Sequence, residues 1–201
     1  RLGDLLHGTS QYEEARAAFT QALPHAAAID AVQCARLHRK IGSTWREQYD
    51  YTNALHFYAA AAYALDAVCA QAPQPLPFTH LPANHPSTLG VKAVSQSAPA
   101  WWEEWIQTQL EIDLVHYWLG ETEASAALQS RLQPIVEQHA TPGQQAAFFQ
   151  RRGQLALRCH RSVATTEAVQ YMQRSFAIYL EAGMQEHLPA AHFMLGFTLL
   201  W

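Results

Sequence analysis

Charge is scarce in this sequence: Lys, Arg, Asp and Glu together make up 15% of 201 residues, and the formal net charge is -4. So few cations offer no field for phosphates, so nucleic acid is not an expected partner. Cysteine is nearly absent. Cys34, Cys69 and Cys159 are odd in number, far apart and without a Cys-x-x-Cys pair, which leaves neither a disulfide framework nor a zinc site. Each falls in a helical pattern and is expected as a small buried hydrophobe, in keeping with a reducing cytoplasm. No apolar run approaches the roughly 18 residues of a spanning helix, and no signal-peptide pattern opens the chain, so no membrane partner is expected. The Val/Ile/Thr alternation of strands is also wanting, while apolar residues recur at helical spacing. The expected fold is all-α.

Catalytic signatures are missing as well. There is no Gly-x-x-x-x-Gly-Lys-Ser/Thr loop, no Gly-x-Ser-x-Gly elbow and no His-Glu-x-x-His helix. The nearest metal-like stretch, Glu186-His187-Leu-Pro-Ala-Ala-His192, sets its histidines about 140° apart on a helix, with Pro189 expected to begin a new helix between them. The eleven histidines show no recurring ligand spacing. Cys159 and His160 are adjacent, so their side chains diverge by about 100° and do not form a nucleophile and base. Glu103 and Glu104 lie near an expected helix N-terminus, where carboxylates interact favourably with the dipole. No catalytic residue, metal or cofactor is expected, and the chain is not expected to be an enzyme.

What is present is a repeat. A small residue is followed by a large one three later, then by Ala, a large residue and a small one at twelve, sixteen and nineteen. Gly42, Trp45, Ala54, Tyr58 and Ala61 fit, as do Gly3, Leu6, Ala15, Phe19 and Ala22, thirty-nine residues earlier. Ile112, Val115, Ala124 and Leu128 are expected as a further copy, although Arg131 then stands where a small residue belongs. Ala156, Cys159, Ala168, Met172 and Ser175 follow, and Gly196 with Leu199 begins another. Small side chains let two antiparallel helices approach, and the large ones fill the space beside the contact. Turns are expected at His7-Gly-Thr-Ser-Gln-Tyr, Gln48-Tyr-Asp-Tyr and Leu119-Gly-Glu-Thr, and helix starts near Pro142-Gly143 and Pro189. The chain opens on Arg1 and stops at Trp201 inside an apolar run, as expected of a fragment of a larger protein.

The pattern resembles the tetratricopeptide repeat, most closely in Ile41-Gly42, Trp45, Asp50-Tyr51, Ala54, Tyr58 and Ala61. The period exceeds the usual 34 residues, and such lengthened repeats are similar to those in the sensor arms of large bacterial signalling ATPases and cyclase-linked regulators. Ala35-Arg-Leu-His-Arg-Lys-Ile-Gly and the run Trp101-Trp-Glu-Glu-Trp-Ile-Gln with His116-Tyr-Trp-Leu-Gly look like segments of that group. The resemblance implies a single domain over residues 1–201, a right-handed α-solenoid of about four helix pairs plus the first helix of a fifth. It implies a protein partner, a peptide or a domain of the parent chain, held on the concave face. The expected concave residues are Arg36, Arg39, Ser43 and Arg46, then Gln109, Asp113, His116 and Tyr117, then Gln150, Leu157 and Arg161. Members that clamp a terminal carboxylate use asparagine there, and Ser43, Asp113 and Leu157 in the comparable places argue against that ligand. Arg36, Arg39 and Arg46 suit an acidic segment, against the plainer reading of a solvated face pairing with Glu47 and Asp50.

Between the second and third copies, residues 70–99 carry six prolines, which forbid a continuous helix and mark an insertion. It is followed by Trp101, Trp102 and Trp105. Trp101 and Trp105 share a helix face and suit packing, whereas Trp102 lies about 100° round and is expected to need a neighbour from the insertion. Two other functions stay open: self-association through apolar ends such as Phe193, Phe197 and Trp201, and a small-molecule pocket under the insertion at Trp101, Trp102, Trp105 and Tyr117.

Overall fold

The computed structural model describes residues 1–27, 30–69, 98–160 and 163–200, and all regular structure among them is helical. The helices are α1 (Leu2–Gly8), α2 (Tyr12–Ala27), α3 (Ala31–Glu47), α4 (Tyr51–Cys69), α5 (Ala98–Leu119), α6 (Thr122–His139), α7 (Pro142–Cys159), α8 (Thr166–Glu181) and α9 (Leu188–Leu200), with a 3-10 turn at Gln185–His187. Consecutive helices pack in pairs, as in a helical repeat. The chain divides into two compact units, Arg1–Thr108 and Gln109–Trp201, with α5 running from one into the other.

Helix starts follow from local chemistry. The Asp30 carboxylate accepts the Val32 N–H at 2.9 Å and opens α3, and Asp50 does the same for Asn53 at 3.0 Å in α4. Thr141 and Gln144 form a reciprocal capping box ahead of α7, with Pro142 in the first turn, where its missing N–H costs nothing. Thr165 caps α8 through the Ala168 N–H at 3.1 Å. Pro99 likewise falls in the first turn of α5.

The small-and-large rule is visible as contact. The Phe19 ring lies directly on Gly3, with no room for a side chain. A methyl group at Gly42 would stand 2.6 Å from the Tyr58 ring and 3.1 Å from the Ala54 carbonyl. Ala15, Ala54 and Tyr58 are fully buried and Phe19 nearly so. Each of these hairpins turns in the same way. The Gln11 N–H donates to the Leu6 carbonyl at 2.8 Å and the Asp50 N–H to Trp45 at 3.0 Å, across a residue with left-handed φ, Ser10 at 61° and Tyr49 at 62°. This six-to-one bond with a left-handed residue before its donor is the Schellman turn.

That turn corrects the register of the third hairpin. The Glu121 N–H donates to the His116 carbonyl at 3.0 Å, across Gly120 with φ 78°. His116 therefore matches Leu6 and Trp45, and Asp113, three residues before it, matches Gly3 and Gly42. Counting on by twelve and sixteen gives Ser125 and Gln129, both buried, where the expected copy had Ala124 and Leu128. The position nineteen on is Leu132, so Arg131 no longer occupies a core place. The expected copy was displaced by one residue because its polar members, Asp113, Ser125 and Gln129, do not look like a packing set. In the α7–α8 pair the large residue Met172 closes on Gly153, where a methyl group would meet its Cε at 2.9 Å. Ala156, one turn later, packs at the edge of the same cluster.

Tyr49 is a tyrosine where the third hairpin has glycine, and it is 79% exposed. A left-handed residue with a Cβ costs roughly 1–2 kcal/mol, and among the described residues the exposed ring has the edge of Tyr51 as its aromatic contact to recover it. Tyr49→Gly is expected to raise stability by about 1 kcal/mol in urea unfolding, with the slope unchanged.

Candidate functional site

Along α3, Arg36 and Arg39 stand one turn apart and converge on one carboxylate. Arg36 Nε donates to Glu104 Oε2 at 2.9 Å, and Arg39 donates from Nε to Oε1 at 2.5 Å and from Nη2 to Oε2 at 3.3 Å. Glu104 is buried near the start of α5, its side chain 3% exposed. The acidic group that these arginines grip thus comes from this chain. Ser43 donates to the Arg39 carbonyl at 3.1 Å and accepts the Tyr58 hydroxyl at 3.4 Å, and Arg46 pairs with Glu47. The Arg46 side chain is 18% exposed, so its pair with Glu47 is only partly the solvated pair expected of that face.

Beside this cluster, α1, α2 and α3 enclose a groove of about 750 Å³. Phe19, Ala22 and Leu37 give it an apolar floor, and Arg36 and Lys40 stand on one wall, with Lys40 paired to Asp4. The tryptophans lie in the same unit. Trp101 donates its indole N–H to the Leu65 carbonyl at 3.1 Å and packs on Val32, Ala35, Ala61 and Leu65. Trp105 stacks on it at 6.1 Å and donates to Asp66, whose carboxyl is nonetheless raised above its ordinary range by burial. Trp102 stands edge-on to both, at 4.8 and 6.0 Å. Trp102 thus has the other two indoles as neighbours, and the neighbour expected from the insertion falls outside what is described. Residues 70–97 of that insertion lie outside the described residues.

In the second unit Asp113, expected on a concave surface, is 1% exposed inside the α5–α6 hairpin. Its carboxylate accepts the Ser125 hydroxyl at 2.5 Å and the Gln129 amide at 2.9 Å. It faces the opposite helix because it occupies the place of the packing glycine. His116 bonds Glu121 at 2.6 Å. Tyr117 gives its carbonyl to Arg158, whose guanidinium lies 4.1 Å above the Tyr117 ring. Gln109 and Gln150 are half-buried, Leu157 is in the core with Ala168 and Met172, and Arg161 lies outside the described residues. A smaller cavity of about 200 Å³ between α6, α7 and α8 is lined in part by Arg152 and Tyr171, and there Tyr171 bonds Glu167 at 2.9 Å.

Burial raises the Asp113 carboxyl above its ordinary range, against the opposing pull of the Ser125 and Gln129 donors and of Arg151 and His116. A carboxyl raised by folding contributes most to stability when protonated, and that contribution declines as pH rises from about 4 through the folded value. Asp113→Asn, with the Gln129 amide turned to accept, removes this slope. The native chain is expected to lose stability relative to the variant between acid and neutral pH, measured as paired urea midpoints.

Cys34 is buried, which pushes its thiol up, but Cys159 is exposed at the end of α7 and corrects the expectation of a core residue there. His38 is held below the ordinary histidine range by burial and by His56, and its Nδ1 has no hydrogen-bond partner among the described residues. Among the described residues no three His, Cys, Asp or Glu side chains are grouped as a metal would need. No described helix is long and apolar enough to cross a membrane. Compared by sequence with known proteins, the chain matches no protein-family model and no curated protein.

Proposed function

We propose that the chain is a non-catalytic interaction arm, a right-handed α-solenoid of tetratricopeptide-like helix pairs that holds a protein partner for a cytoplasmic bacterial signalling protein. The observation that carries the reading is the shared register of three hairpins, down to the left-handed residue in each turn. Repeated helix pairs of this kind bury a common core and leave extended faces for partners. Capture of the parent protein's separated domains by the immobilised chain tests it. Retention of one domain, and its loss when surface positions are charge-reversed, is the expected result. Turnover of a substrate by the chain alone, without any such retention, would sink the reading.

A second reading, self-association, has its own support in α9. Phe193, Phe197 and Leu200 are exposed, and among the described residues nothing outside the neighbouring residues and the helix's own nearby backbone lies within 4 Å of a methyl group built on Gly196. Light scattering across a concentration series, with Phe197→Arg as control, separates association through α9 from a monomer.

A further inference from the structure

The groove between α1, α2 and α3 combines an apolar floor with a guanidinium that is only half engaged. Glu104 is one carboxylate facing two arginines, and Arg39 uses both of its oxygens. Arg36 reaches it through Nε alone at 2.9 Å, so its two terminal nitrogens have no partner among the described residues. The Arg36 side chain is 33% exposed and lines the groove. Lys40 and Arg1 line it too, against a single lining carboxylate, Asp4. The lining therefore carries net positive charge. The Phe19 ring in its apolar lining is held on Gly3, and Ala22 and Leu37 line the groove beside it.

We propose that this groove is a docking site for an acidic peptide segment, with an aliphatic side chain seated over Phe19 and Leu37 and a carboxylate paired to the terminal nitrogens of Arg36. The site rests on the interaction reading above and names the class of partner for one face. A planar guanidinium whose terminal nitrogens have no partner among the described residues can meet a carboxylate in bidentate fashion, which a lysine does not reproduce. The floor excludes a purely charged ligand, because burying it without a partner side chain gains nothing.

The test uses the whole chain and a short fluorescein-labelled peptide of leucine and glutamate, with a leucine and glutamine peptide as control. Anisotropy titration is expected to show the glutamate peptide binding about tenfold more tightly, the equivalent of one charge-assisted hydrogen-bond pair. Arg36→Gln should remove that tenfold preference. It leaves Arg39 to hold Glu104, so the fold is retained, and circular dichroism verifies this. Ala22→Trp, which fills the floor, should weaken both peptides. Equal binding of the two peptides, or an unchanged preference in Arg36→Gln, overturns the proposal. If the preference is absent while the parent's domains are still captured, the groove fails and the interaction reading stands.

Discussion

Tyr58→Ala is expected to cost about 3–5 kcal/mol, the range of a large aromatic removed from a site that cannot collapse. The ring is fully buried and rests on the backbone of Gly42, with its hydroxyl bonded to Ser43 at 3.4 Å. Two rigid helices border the void, so relaxation recovers little. The companion variant fixes the cause. Gly42→Ala in the native chain forces a methyl group into the Tyr58 ring and the Ala54 carbonyl, and overpacking of that kind costs about 1–3 kcal/mol. In the Tyr58→Ala background the ring is gone and only the Ala54 carbonyl, at 3.1 Å, still crowds the methyl group, so the cost falls and alanine's helix preference of up to about 1 kcal/mol offsets much of what remains. The cost of one substitution thus depends on the other, which a double-mutant cycle in guanidinium chloride reads directly. Additive effects would mean that Gly42 and Tyr58 do not share one contact.

Glu104→Ala is the second large effect, at about 3 kcal/mol. Removing one partner of a buried pair leaves the other charges unmatched, which costs about 3–5 kcal/mol when they stay dry. The Arg39 and Arg36 side chains are 16% and 33% exposed, so both regain some water and the loss falls at the lower end. Glu104→Gln keeps the shape and one acceptor and should lose less. Arg36→Gln should lose least, since Arg39 alone satisfies both carboxylate oxygens. That order, Ala worse than Gln worse than Arg36→Gln, distinguishes the charge cluster from simple packing by the glutamate stem.

The helices and hairpins were largely legible in the sequence because they rest on local chemistry. Asp30, Thr141 and Thr165 cap helices whose first turns follow at once, and Gly3 and Gly42 mark contacts with Phe19 and Tyr58 at fixed spacing. The third hairpin was misregistered because its packing set is polar. Asp113, Ser125 and Gln129 fill the same three places by hydrogen bonds, and a hydrophobic template passes over them. Gly120, in the left-handed place of the turn, was the available signal. The candidate site was less legible. Arg36 and Arg39 could be picked out as a pair on one helix face, but Glu104 lies 68 and 65 residues away and no spacing rule links them. Trp101 and Trp105 were assigned to packing from their four-residue spacing, and their indole N–H partners at Leu65 and Asp66 fit that assignment.

Asp113, Ser125 and Gln129 stand in the places of Gly42, Ala54 and Tyr58. Grafting the second hairpin's set onto the third, as the triple variant Asp113→Gly, Ser125→Ala and Gln129→Tyr, tests this in one unfolding experiment. A buried polar set replaced by a matched apolar one is neutral or stabilising by roughly 1–4 kcal/mol. The triple variant is expected to be at least as stable as the native chain at neutral pH, with the Asp113-dependent pH slope gone. A triple variant that is less stable by several kcal/mol, as a misplaced glycine and tyrosine would make it, contradicts the shared register.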